Sequence, residues 1–173
     1  MTSGVYTCAQ IQDAIAACPS RWRPLVFTNG CFDLLHAGHV RYLQAAKALG
    51  RSLVVGLNSD ASVRQIKPQK PDLPSRPIVP EAQRAEVLAA LRAVDGVVIF
   101  AEATATSLIQ ALQPDIYVKG GDYTLESLPE APVVLGYGGR IELIRIEVPS
   151  STTALIQQIL AAGTAARPQE TLK

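Results

Sequence analysis

The sequence predicts an α/β domain: a single doubly wound, mostly parallel sheet with helices on both faces. Two observations carry this. The predicted strands are near-continuous apolar runs, as expected where both faces of a parallel sheet are covered. They also alternate with segments of helical period, which implies crossover connections.

Each element follows in order. Ala9 to Ala17 reads as an amphipathic helix, and Pro24 to Thr28 (PLVFT) as the first main strand. Val40 to Leu49 places Val40, Leu43, Ala46 and Leu49 on one helical face, and Gly50 ends it. Ser52 to Leu57 (SLVVGL) is a second strand. Pro80 opens a helix over Glu81 to Leu91. Val94 to Phe100 is a strand, Ala105 to Leu112 a helix, and Asp115 to Lys119 a strand. Val133 to Leu135 and Ile141 to Ile146 read as two more strands separated by the turn GYGG, and Thr153 to Ala162 as a closing helix. These spans divide the chain into a helical lead-in (1–22), the main domain (23–162) and a frayed tail (163–173).

At 173 residues the chain is long enough for one domain with a real core. Hydrophobic residues at 48% and charged residues at 18% exclude a disordered chain. A net charge of +1 gives no broad basic surface for nucleic acid, so an anionic ligand must be met locally. Cys8, Cys18 and Cys31 match no zinc spacing and read as free thiols of a reducing compartment. No apolar run approaches the ~20 residues of a membrane helix. The first residues, MTSGVYTCAQ, lack the features of a signal peptide. A cytoplasmic location is expected, with no membrane partner.

In doubly wound sheets ligands lie beyond the carboxyl ends of the strands. There the first main strand runs into NGCFDLLHAGHVRYL. Asn29-Gly30 suits a sharp turn. His36 and His39, the only histidines in the chain, are three residues apart at a helix start and share a face. They flank Gly38 and sit beside amides that favour an anion. Neither G-x-G-x-x-G nor G-x-x-x-x-G-K-[ST] occurs. Three readings of the pair compete: donors to a phosphate chain, a metal site lacking further protein ligands, and simple helix capping. Residues 66–80, with five prolines, form a long loop of the kind that is often functional.

The segment TNGCFDLLHAGHV resembles the H-x-G-H signature of the cytidylyltransferase-like nucleotidyltransferase superfamily. LNSDASVRQIK, RPIVPEAQRAEVLAAL, AVDGVVIF, PDIYVKGGDY and SSTTALI extend the resemblance from about residue 7 to residue 160, toward the adenylyltransferases that make ADP-heptose. The resemblance implies a Rossmann-like nucleotidyltransferase fold. The implied reaction is transfer of AMP from ATP to D-glycero-D-manno-heptose 1-phosphate by direct in-line attack, releasing pyrophosphate. The pathway it implies supplies lipopolysaccharide-core precursors. Many relatives carry a fused sugar kinase, and this sequence resembles a stand-alone transferase.

By position in the motif, His36, His39 and Lys67 are implied to act on the phosphates. Thr28, Asn29, Gly30, Cys31, Phe32 and Gly38 are implied to line the nucleotide pocket, with Lys119, Gly120 and Asp122 beside adenine and ribose. Ser151, Thr152 and Thr153 match a phosphate-binding element at a helix N-terminus, and equally suit an N-cap. The residues after it, Ala154 to Gln157, lack the arginine or lysine common in relatives.

Asp33 has two readings, orienting a catalytic group or stabilising the turn. Asn58, Ser59 and Asp60 follow the second strand. Lys70 and Arg76 are loop cations, and Gln83 and Arg84 open the next helix. Arg84 suits a phosphate or an inter-subunit contact. Cys31 has no basic partner in sequence and is expected to pack. Mg²⁺, held mainly by ATP and water, is the expected cofactor. The oligomeric state stays open, a homodimer being the common assembly of such folds. Two other functions stay open: a cytidylyltransferase for glycerol 3-phosphate or a related alcohol phosphate, and a non-catalytic nucleotide-binding module.

Overall fold

The structure, a computed structural model, describes residues 4–121, 123–145 and 151–165. Its elements in chain order are β1 (Val5–Tyr6), α1 (Cys8–Ala17), α2 (Pro19–Trp22), β2 (Leu25–Gly30), α3 (Ala37–Lys47), β3 (Ser52–Asn58), α4 (Asp60–Ile66), α5 (Glu81–Ala89), β4 (Gly96–Phe100), α6 (Thr106–Leu112), β5 (Ile116–Gly120), a 3₁₀ turn (Leu125–Ser127), α7 (Ala131–Gly136), β6 (Arg140–Ile144) and α8 (Thr152–Ala165). The side chains described in α8 end at residue 163.

The six strands form one sheet in the order β1-β4-β3-β2-β5-β6. Every pairing is parallel. Every residue of β3 is buried, which accounts for its uninterrupted apolar run. Two apolar layers cover the sheet. One joins Phe27, Val54 and Tyr117 to Ile11, Ile109 and Val134 from α1, α6 and α7. The other joins Val26, Val55 and Val118 to Leu43, Ala46 and Leu88 from α3 and α5. At the centre, Gly56 on β3 leaves room for the Phe27 ring, since a Cβ there would lie 2.7 Å from Phe27 Cζ.

Winding proceeds from β2 through β3 to β4 in one direction, then from β2 to β5 and β6 in the other. The switch point therefore falls between β2 and β5. There the crossover connections leave toward opposite faces and open a crevice at the carboxyl ends.

One expected strand is a helix. Val133 to Leu135 belongs to α7, where Val134 is buried against the α6 layer. A three-residue apolar run cannot by itself distinguish a buried strand from a buried helical turn. Pro132 at the first turn, with its fixed φ and missing N–H, favours the helix start. The following strand is β6 (Arg140–Ile144), and Ile146 lies outside the described residues.

Two elements lacked a strong periodic signal. β1 has only two residues but pairs with β4 through Val5↔Val97 and Tyr6↔Val98, and Ile11 of α1 is fully buried. Residues 4–22 are thus built into the sheet and one of its layers. α4 follows β3 directly, its first turn capped by Ser59, whose hydroxyl accepts the Ser62 N–H at 3.1 Å.

Candidate active site

A cleft of about 580 Å³ opens over the carboxyl ends of β2 and β5. Its first wall is the turn from β2 into α3. Phe32 has φ 42°, in the left-handed region that side chains rarely adopt. Such strain is typically held by a well-packed surrounding and concentrates at functional sites. Phe32 is buried, and its ring lies 5.4 Å from the His39 ring.

His36 is the N-cap residue of α3 and His39 lies in its first turn. Their rings stack with centroids 3.9 Å apart and planes at 33°. Both Nδ1 atoms are buried without a hydrogen-bond partner. Burial, helped by the neighbouring His36 and Arg76, depresses the His39 pKa to about 4. Burial also lowers that of His36. At neutral pH the pair is uncharged, each ring with one N–H to donate. His39 lines the cleft, whereas His36 stacks on it without forming part of the wall.

A second helix N-terminus meets the first. Ser151 Oγ accepts the Ala154 N–H at 3.1 Å, and Thr152 Oγ1 donates to the Leu34 carbonyl at 3.3 Å. The latter contact ties the start of α8 to the loop that precedes α3. Ser151, Thr152 and Thr153 all line the cleft. First-turn amides of two helices thus converge on one volume, an arrangement suited to an anion.

The opposite wall rises from β5. Lys119 Nζ and Tyr117 Oη both donate to Asn29 Oδ1 at 2.8 Å, bridging the two strands across the switch point. Lys119 also lies 5.6 Å from the centre of the Tyr123 ring. Burial lowers the Lys119 pKa, while Glu130 and Cys31 act electrostatically in the other direction. Gly120 and Tyr123 line the cleft, and Asp122 lies outside the described residues.

The Pro-rich loop closes a third side. Asp33 is buried. Its carboxylate accepts from Arg76 Nε at 2.6 Å and from the N–H groups of Ile78 (2.8 Å) and Val79 (3.0 Å). It therefore pins residues 76–79 to the motif, a partner set the sequence did not suggest. Arg76 and Lys67 both line the cleft, and Lys67 is exposed at the end of α4. Lys70 instead borders a separate pocket with Gln157 and Leu160.

Several expected ligands do not reach the cleft wall. Thr28 is buried, its hydroxyl 2.7 Å from Tyr42 Oη, which in turn donates to the Val118 carbonyl. Gly38 is buried within α3. Arg84 is 2% exposed, and its guanidinium donates to the carbonyls of Val79 and Cys31 and to Asp60 Oδ1. Those bonds commit Arg84 and Asp60 to joining α5, α4 and the β2 turn. Gln83 is exposed and Ser59 caps α4, neither facing the cleft. Asn58 does line it, with Nδ2 donating to Ser62 Oγ at 2.9 Å. Cys31 lines it too, but burial raises its thiol pKa, keeping it a poor nucleophile.

Ala103, Thr104, Leu128, Pro129 and Glu130 complete the cleft. They carried no sequence signal because the segments that bring them there, after β4 and before α7, match no motif and meet only in the folded chain. Tyr42 and Tyr117 were equally hidden, as aromatic residues read as core in a helix and a strand.

Comparison with known proteins identifies the family. The cytidylyltransferase-like family model matches residues 27–154. The chain is 52% identical over 150 residues to the bifunctional protein HldE of Syntrophotalea carbinolica, and 54% identical over 148 residues to that of Geobacter metallireducens. These alignments cover 87% and 86% of this chain but 30% and 29% of the relatives, so the chain spans under a third of their length. Among solved structures, a lipopolysaccharide core biosynthesis protein from Thermoplasma volcanium superposes with a TM-score of 0.57 at 28% identity, over 72% of this chain and 97% of that one. A pantothenate synthetase from Thermus thermophilus shares the fold, with a TM-score of 0.52 at 16% identity over 82% of this chain and 61% of that one. With the family model matching residues 27–154, which span the H-x-G-H turn, the chain belongs to the cytidylyltransferase-like nucleotidyltransferases.

Proposed function

We propose that this chain transfers AMP from ATP to a sugar 1-phosphate, the favoured acceptor being D-glycero-D-manno-heptose 1-phosphate. The products are an ADP-sugar and pyrophosphate. The observation that carries this reading is the convergence of His39 and the Ser151–Thr153 helix start on one cleft at the switch point. The names of the relatives, HldE and a lipopolysaccharide core biosynthesis protein, support a sugar phosphate as acceptor and lipopolysaccharide precursors as the pathway.

In the proposed reaction an oxygen of the sugar phosphate attacks the α-phosphorus. The bond from that phosphorus to the oxygen bridging to the β-phosphate breaks, and pyrophosphate leaves in line. The attacking oxygen is already ionised, so no strong base is required. His39, held by its stacked partner His36, donates an N–H toward the phosphate chain without carrying a charge of its own. Amides at the starts of α3 and α8 add oriented donors that need no reorganisation. Lys67, together with Arg76, offsets charge that builds on the leaving group. Lys119 and Asn29 hold the nucleoside side.

Among the described residues two carboxylates line the cleft: Asp33 is occupied by Arg76 and two backbone amides, and Glu130 accepts the Ala105 N–H. That donor set fits a Mg²⁺ carried by the triphosphate and water. The ion would neutralise phosphate charge. A homodimer is also proposed, and sedimentation at the mass of a single 18.4 kDa chain would exclude it.

A pyrophosphate-release assay with both anomers of heptose 1-phosphate, against ATP and CTP, tests the reading. ATP with one anomer is expected to be the fastest pair. Faster release with CTP and glycerol 3-phosphate would instead favour a cytidylyltransferase. Nucleotide binding with no turnover on any acceptor would leave a non-catalytic module.

A further inference from the structure

Asp33 and Arg76 form the ion pair that ties the Pro-rich loop to the turn after β2. The Asp33 side chain is 0% exposed, whereas that of Arg76 keeps 17% of its surface open. Asp33 Oδ1 accepts the N–H groups of Ile78 and Val79, and Oδ2 accepts Arg76 Nε at 2.6 Å. These bonds use most of the roughly four acceptor sites of a carboxylate. Removing the partner of a buried charge is costly, so the end of the loop is held firmly against the turn.

Arg76 is not used up in the same way. Its bond to Asp33 engages Nε alone. Among the described residues no hydrogen bond engages its two terminal nitrogens, and neither is sealed from solvent. Arg84 is the contrast, since its Nε, Nη1 and Nη2 all donate within the fold. Arg76 lines the cleft. Its charge is felt at His39, where it opposes protonation, and at Cys31, whose thiol also feels Lys67. The guanidinium therefore stands beside His39 with its outer edge unspent. Two adjacent N–H groups on a planar fork match two oxygens of one phosphoryl group. Because the carboxylate fixes the fork beforehand, binding has less side-chain freedom to remove.

We propose that Asp33 is a positioning residue: it holds Arg76 by Nε so that the terminal N–H pair binds a phosphoryl group in the cleft. The inference rests on the nucleotidyl-transfer reading above. The triphosphate of ATP and the phosphate of the acceptor both offer that chemistry, and the two KM values tell them apart.

The test is a double-mutant cycle in steady-state kinetics, using Arg76→Ala, Asp33→Asn and the double variant. In Asp33→Asn one oxygen remains for the loop amides, while the side-chain NH₂ meets Arg76 Nε donor to donor. Each single variant is expected to lose about tenfold in kcat/KM, on the order of one charge-assisted hydrogen bond. The double variant should lose little beyond Arg76→Ala, because Asp33 acts through Arg76. A raised KM for ATP places the fork on the triphosphate, and a raised KM for the sugar phosphate places it on the acceptor; either supports the inference. Losses that add in the double variant would show Asp33 acting without Arg76 and overturn it. So would an Asp33→Asn protein with a lowered melting temperature and wild-type kinetics. Should Asp33→Asn fail to fold, Asp33→Glu, which keeps the charge but shifts the carboxylate, enters the cycle with the same expectations. A wild type that turns over no sugar phosphate sinks the proposed function and this inference with it. A working wild type matched by Arg76→Ala on both substrates sinks this inference alone.

Discussion

Because His39 is half-buried beside His36 and near Arg76, its ring binds a proton less readily in the folded chain than in the unfolded one. Its pKa of about 4 lies below the ordinary value of 6.5. Between those values the unfolded chain takes up more protons, so stability rises with pH. The contribution is fully present above pH 6.5 and is lost as pH falls toward 4. Melting temperature should therefore decline over that interval, and His39→Gln should decline less steeply. Identical pH profiles for the two proteins would contradict a desolvated neutral imidazole. For catalysis, His39→Ala is expected to lower kcat at least ~100-fold with an unchanged circular dichroism spectrum, as for loss of a transition-state donor. Lys67 differs in being exposed at the loop's edge. Lys67→Ala should slow turnover while leaving the melting temperature within about a degree, the expected behaviour of a surface site.

At the level of elements, Arg84 joins three of them. Its guanidinium reaches Val79 before α5, Cys31 after β2 and Asp60 at the start of α4. Arg84→Met fills similar volume but leaves two carbonyls and a carboxylate without their donor. The expected cost is about 3–5 kcal/mol in urea denaturation. Were Arg84 instead a phosphate ligand, the KM for ATP would rise with stability unchanged. The motif's arginine was visible in RPIVPEAQR, but its direction was not. A guanidinium at a helix start serves an external anion or internal carbonyls equally well, and only the neighbours decide. The same ambiguity applied to Val133 to Leu135, whose burial against α6 was settled by packing and not by period.

Across the whole molecule, the site depends on how β2 sits between β3 and β5. Asn29 ends one strand and receives donors from Lys119 and Tyr117 of the neighbour. Gly56 keeps the β2–β3 register compact by admitting Phe27, so Gly56→Ala should cost about 1–3 kcal/mol through overpacking. An unchanged urea midpoint would show that the central layer has slack. Among the described residues, no helix is long and apolar enough to cross a membrane.

Read alone, the sequence determined the parallel α/β class, the positions of its main strands along the chain and the first turn that bears both histidines. These are local properties: buried strands write continuous apolar runs, and H-x-G-H sits at one strand-to-helix junction. Tertiary structure decided which polar residues face the cleft. It turned Arg84 and Asp60 inward and Thr28 beneath the floor, engaged Asp33 with the loop, and brought Glu130 in from a segment without a motif. Hydrogen-bond partners far apart in sequence set those directions, and sequence spacing carries no record of them.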